Sequence, residues 1–117
     1  MALIQKNLRL EKFRFGLVSR MDIAQIQSEL AQDGLLIDVR TPEEYAEGHV
    51  KDALLTPHTQ FFTADIPAKK DASIYLYCKM GSRAEFAAGV LKERGYTKVT
   101  TLGGLGDMEA LGFKFEK

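Results

Sequence analysis

The sequence predicts an α/β domain with a central, mostly parallel sheet of five strands and helices on both faces. Three observations predict it. Short apolar runs alternate along the chain with stretches of helical spacing, the order that lays strands side by side under crossover helices. The runs are apolar on successive residues, as in strands buried on both faces. The chain has 117 residues, 45% of them hydrophobic, which suits one domain with a core that needs no disulfide or metal staple.

The elements follow in order. Phe15-Gly16-Leu17-Val18 reads as a first strand, and Ser19 as a helix N-cap answered three residues on by Asp22. Ile23, Ile26 and Leu30 recur at three- and four-residue spacing, so residues 20–32 form an amphipathic helix that Asp33-Gly34 stops. Leu35 to Val39 is a buried strand. Pro42 opens a brief helix through Glu47, because proline fits a first turn. Ala53-Leu54-Leu55 is a weak strand, and residues 56–70 are mostly loop with one helical turn. Ser73 to Tyr77 is the strongest strand, rich in β-formers. Residues 83–94 form a helix with Phe86, Ala87, Val90 and Leu91 on one face, ended by Gly95. Lys98 to Leu102 is the last strand, followed by a glycine turn and a short helix near 107–111.

Charge is balanced, 16 basic against 16 acidic side chains, so the chain lacks the basic excess of a nucleic-acid binder. No apolar run is long enough to cross a bilayer. A single cysteine cannot close an internal disulfide, which points to a reducing, cytoplasmic setting. Lys6, Arg9, Lys12 and Arg14 interrupt the start of the chain, so it lacks the apolar stretch of a secretory signal. Those cations with interleaved Leu8, Leu10 and Phe13 also fit a transit peptide; the simpler reading makes residues 1–14 an arm or extra strand and 15–117 the domain.

The segment Tyr77-Cys78-Lys79-Met80-Gly81-Ser82-Arg83-Ala84 joins a central strand to a helix N-terminus. In parallel sheets ligands bind at the carboxyl ends of strands, where Cys78 stands. The first N–H groups of a helix have no internal partners, and the helix dipole adds positive charge there. Gly81 lets the loop curl, and Lys79 and Arg83 add full charges. These influences all favour an anion at the loop centre, first of all the nucleophilic thiolate of Cys78. The bland alternative is a buried cysteine packed as a small hydrophobe. The strand end, the glycine and the flanking cations weigh against it.

In this setting the sequence resembles the rhodanese-like sulfurtransferase domain. Leu36-Ile37-Asp38-Val39-Arg40 matches the family's I-D-V-R strand. Glu43-Glu44-Tyr45 and Gly48-His49-Val50 match its E-E-Y and G-H-I segments. Tyr77-Cys78 with Gly81 and Arg83 matches the active-site Y-C-x-x-G-x-R, and Gly95-Tyr96 and Gly103-Gly104 match the closing pairs. The likeness covers roughly residues 15–113. There are departures: Lys51-Asp52 stands where the family usually has Pro-Gly, Met108 near the place of a frequent Trp, and the strand before Gly103 is about one residue short.

The resemblance implies a two-step reaction. Cys78 takes the outer sulfur of an anionic donor such as thiosulfate as a persulfide, then passes it to cyanide, a thiol or a protein acceptor. Backbone N–H groups of residues 79–83 cradle the persulfide, and Lys79 and Arg83 draw in the donor. No cofactor is implied, and His49, His58 and Cys78 are too widely spaced for a metal site. Other site residues have structural readings. Asp38 and Arg40 orient loops or pair locally, Arg40 with Glu43 or Glu44. His49 holds a turn, Glu43, Glu44 and Glu47 form a solvated helix face, at least one of Phe61 and Phe62 fills the core, and Asp107 caps the last helix.

Two other function classes compete. Cysteine phosphatases and arsenate reductases place five residues between cysteine and arginine, whereas four separate Cys78 from Arg83. A non-enzymatic sulfur carrier or protein-interaction module would accept sulfur from another protein, with little turnover of small molecules.

Overall fold

The computed structural model describes residues 23–117. The expected strand at 15–18, the Ser19 cap and the arm over 1–14 lie outside the described residues. Helix α1, Ile23–Ala31, leads to β1, Leu35–Asp38. Helix α2, Pro42–Glu47, precedes three short pieces: β2 at His49–Val50, β3 at Leu54–Leu55 and a 3-10 turn at His58–Gln60. Then come β4, Ser73–Tyr77, helix α3, Ser82–Glu93, and β5, Lys98–Thr101. Helix α4, Leu105–Leu111, and β6, Phe115–Glu116, complete the chain.

The main sheet has the order β3-β1-β4-β5 with every pair parallel. Four of the five expected strands are therefore in place among the described residues. The last ends at Thr101, although the Leu102 N–H still donates to Leu76 O at 2.8 Å. Sequence reasoning missed β2 and β6, which pair antiparallel as a two-residue ribbon. Strands this short have too few residues to show an alternation.

The two central strands sort their side chains by strict alternation. Ile37, Val39, Ile74, Leu76 and Cys78 join one core with Ala84, Ala87, Ala88, Val90 and Leu91 of α3 and with Phe61. Leu36, Tyr75 and Tyr77 join the other with Ile26 of α1, Met108 of α4 and Phe113. Neighbouring Tyr77 and Cys78 thus point to opposite faces. Phe86 corrects the expected face of α3: it is 48% exposed, and Ala84 and Ala88 take its place in the core. Of the two candidate aromatics, Phe61 is fully buried while Phe62 is 63% exposed.

The turn at Lys51-Asp52 has a physical account. Asp52 adopts φ +69°, a conformation glycine enters freely and aspartate tolerates. Lys51 has an N–H that proline would lack, and it donates to Lys114 O at 2.8 Å, holding β6 beside β2.

Beneath that ribbon lies a buried ion pair. Asp38 and Arg40 are 0% and 4% exposed. The Arg40 Nε and Nη2 donate to the Asp38 carboxylate at 2.8–3.0 Å, and the Arg40 backbone N–H adds a further bond at 2.9 Å. Arg40 Nη2 also donates to Gly48 O at 2.6 Å. Arg40 therefore pairs with Asp38 and not with Glu43 or Glu44. Two residues apart at the strand end, the partners meet without any loop having to bend. The Tyr77 hydroxyl donates to Asp38 at 2.7 Å and accepts from the Val50 N–H at 2.9 Å. Burial and the bond to Asp38 push the Tyr77 phenol well above its ordinary range, so it stays a donor.

Removing one partner of a buried pair leaves the other charge uncompensated. Asp38→Ala is expected to lower unfolding free energy by about 3–5 kcal/mol in urea titrations. A cost below about 1 kcal/mol would contradict the role assigned to this network.

Candidate active site

The loop between β4 and α3 closes around one atom. Cys78 follows β4 directly, and the strand's alternation aims its sulfur at the α3 side of the sheet. The Gly81 N–H donates to Cys78 Sγ at 2.9 Å and the Ala84 N–H at 3.4 Å. Gly81 makes this possible by adopting φ +112° at the helix N-cap. These N–H groups belong to the first turn of a 12-residue helix, where they have no carbonyl to serve. Two main-chain dipoles and the helix terminus therefore face the sulfur.

The base of the loop is fixed by the double-glycine turn. The Cys78 N–H donates to Gly103 O at 3.1 Å, and Lys79 O accepts from the Leu105 N–H at 3.1 Å. Gly104 lies so close that a Cβ there would meet Lys79 O at 2.3 Å and Met80 Cα at 3.0 Å. Sequence reasoning treated Gly104 as a turn residue only; its contact with the loop comes from packing between distant segments. Asp107 takes the Gly104 N–H at 2.7 Å and so starts α4.

Around this cradle the sequence-selected side chains divide. Lys79 and Met80 are exposed, and Lys79 has no ion-pair partner among the described residues. Ser82 is exposed at the head of α3. Arg83 departs from expectation. Its guanidinium makes a two-pronged bond to Glu44, Nη1 to Oε1 at 2.8 Å and Nη2 to Oε2 at 3.1 Å. Glu44 is therefore not a free member of a solvated face. It also closes a capping box with Thr41 at the start of α2. The Thr41-x-x-Glu44 spacing is the signal that could have shown this. Arg83's hydrogen bonds, then those of Thr41, hold the Glu44 carboxyl down at about 2. Arg83 is in turn held more firmly protonated, chiefly by Glu44 and in part by charge at Cys78.

Asp38, Arg40 and His49 stand away from the sulfur in role. Asp38 packs with Tyr77 on the opposite face of the sheet. His49 stacks on Tyr45 with ring centroids 3.7 Å apart, its Nδ1 bonded to Tyr45 O at 2.9 Å and its Nε2 3.3 Å from Glu116. It joins α2 to the β2–β6 ribbon. Cys78 itself is only 1% exposed, so the thiol sits at the floor of its loop and presents very little surface. The arrangement can hold a negative sulfur; it has no general base bonded to Cys78 among the described residues.

The glycine contacts are testable against each other. Gly104→Ala is expected to cost about 1–3 kcal/mol in urea unfolding, because backbone meets backbone. Gly106→Ala, with open space around its Cβ position inside α4, is expected to stabilise by about 0.5–1 kcal/mol. The ion pair makes a pH prediction. Glu44's carboxyl is lowered on folding, so its contribution is full above the usual carboxylate range near 4.5 and is lost as pH falls toward 2. Glu44→Gln is expected to lose on the order of 1–2 kcal/mol at pH 7, a difference that vanishes near pH 2.

Comparisons with known proteins agree on one family. The rhodanese-like domain family matches residues 22–109. A sulfurtransferase of Allochromatium vinosum is 36% identical over 92 residues, covering 75% of this chain and 84% of that protein. The thiosulfate sulfurtransferase PspE of Escherichia coli is 37% identical over 75 residues, 62% of this chain and 71% of that protein. Among solved structures, an Escherichia coli rhodanese with anions superposes with a TM-score of 0.64 at 32% identity, covering 72% of this chain and 98% of that one. The match spans the loop that grips Cys78, the buried Asp38 pair and the double-glycine turn, and the chain belongs to the rhodanese-like domain family of sulfurtransferases.

Proposed function

We propose that this domain transfers sulfane sulfur by way of a persulfide on Cys78. The observation that carries the reading is the pair of N–H groups, from Gly81 and Ala84, that converge on Sγ. They suit a negative sulfur, and they suit equally the outer sulfur that would extend about 2 Å beyond it.

In the first half-reaction the Cys78 thiolate attacks the outer sulfur of a donor such as thiosulfate. A Cys–S bond forms, the donor's S–S bond breaks, and sulfite leaves with the electron pair. In the second, a thiophile such as cyanide attacks the persulfide's outer sulfur, and the pair returns to Cys78. Neither half needs an external oxidant, a metal or a second cysteine. Lys79 supplies the exposed charge at the loop rim. Arg83 acts through its bond to Glu44, which ties the first turn of α3 to α2. We place the reaction in a reducing, cytoplasmic setting, where a lone thiol persists.

The Arg83–Glu44 pair also bears on the competing readings. A phosphatase loop uses its arginine to grip a tetrahedral oxyanion, and here that group is already bound to a carboxylate. The carrier reading, in which a protein delivers the sulfur, gains from the same fact, because one charge less is offered to a small anion.

Intact mass after thiosulfate or polysulfide treatment is expected to show one added sulfur on the wild type. Cyanide is expected to remove it as thiocyanate, and Cys78→Ser to show neither event. Failure of every donor, protein persulfides included, to load the wild type would overturn the reading. Loading from a protein persulfide alone would select the carrier role.

A further inference from the structure

Beside the loop lies a hollow of roughly 430 Å³, lined by His58, Thr59, Phe62, Ser82, Arg83 and Phe86. That volume falls in the range of small-molecule sites. Ser82 and Arg83 lie between Gly81 and Ala84, whose N–H groups hold Cys78 Sγ, so the hollow shares the start of α3 with the candidate site.

Its walls are aromatic. Phe62 is 63% exposed and Phe86 48%, and their ring centroids lie 6.0 Å apart in an edge-to-face contact. His58 meets Phe86 edge-on, also at 6.0 Å. Two large apolar rings left open together represent burial free energy still available to a ligand. They belong to separate segments, the loop after the 3-10 turn and helix α3, and so form a built concavity.

Charge points the same way. Arg83 is the guanidinium at this wall, and Glu44 binds it through both nitrogens. Since that carboxyl is held down at about 2, the pair is neutral throughout the working pH range. A dianion entering here would find no unpaired lysine or arginine among the lining residues, whereas a neutral organic body would find aromatic faces.

Resting on the sulfur-transfer reading above, we propose that this hollow seats the apolar, ring-bearing body of an organic thiol that accepts the sulfur. The acceptor's thiolate attacks the outer sulfur of the Cys78 persulfide. Its new S–S bond forms as the bond to Cys78 breaks, and the electron pair stays on Cys78. Any proton on the outer sulfur travels with it. The product is an organic persulfide, and Cys78 returns to its thiolate.

Two measurements on the full chain test this. The first is NMR titration with 2-phenylethanol, an unreactive oxygen analogue, with ethylene glycol as the control. Saturating shifts are expected at the amides of Phe62, Ser82 and Phe86 with the phenyl compound only. The second is the rate at which persulfidated protein loses sulfur to 2-phenylethanethiol and to 2-mercaptoethanol, alkyl thiols of similar basicity. The expected preference in kcat/KM is at least tenfold for the phenyl compound, falling to within about twofold in Phe62→Ala/Phe86→Ser. Absence of saturation, equal rates in the wild type, or a preference that survives the double substitution would each overturn the proposal. So would concentration-dependent shifts at these amides without ligand, which would make the hollow a contact between copies of the chain. Saturation with no sulfur passed to any acceptor, cyanide included, would sink the transfer reading and the acceptor role while leaving the binding site standing.

Discussion

The carboxylate of Asp38 holds the active end of this domain together. It lies out of reach of water at the end of a central strand and is bonded by Arg40 and by the hydroxyl of Tyr77. Such a pair gains little net stability over an apolar replacement, because both charges must shed water. What it supplies is position. Tyr77 passes the connection on to the Val50 N–H, and Arg40 passes it on to Gly48 O. The end of β1, the ribbon strand at 49–50 and the end of β4 are thereby fixed to one another. Cys78 is the next residue after Tyr77, and inherits that fixed starting point on the other face of the sheet.

From there the site is built mainly of backbone. The sulfur of Cys78 is met by the N–H dipoles of Gly81 and Ala84, which the helix start holds in place. The arginine that a simple reading would aim at the substrate is bonded to Glu44, and this pair joins α3 to α2. The near-complete enclosure of Cys78 follows from the same economy. A cradle of main-chain atoms must approach closely to act at all, so it leaves a narrow way in.

How much of this was legible depended on the range of the interaction. The strands at 35–39 and 73–77 showed in runs of apolar residues, and the Cys78 loop in a strand–glycine–helix succession. Both are local patterns. Phe86 was misplaced because helical spacing gives a face without saying where the face stops. The β2–β6 ribbon was invisible because two residues carry no period. Glu44's tie to Arg83 and Gly104's approach to Lys79 join positions 39 and 25 apart in the chain. Nothing in either neighbourhood announces the other. The Lys51-Asp52 departure from the family's Pro-Gly turn replaces a stiff residue with a donor that secures β6.

Gly104's seat against the Lys79 carbonyl also limits what this scaffold can become. Adding a residue between Cys78 and Arg83, as a cradle for a larger oxyanion would require, would swing main chain into the turn that begins α4. The turn cannot yield alone, since the Leu105 N–H is bonded to Lys79 O and the Gly104 N–H to the Asp107 carboxylate. A switch of chemistry would therefore demand matched edits in two stretches some two dozen positions apart, and any single insertion would first meet a collision. The size of the Cys78 cradle is thus set as much by the turn beside it as by the loop itself.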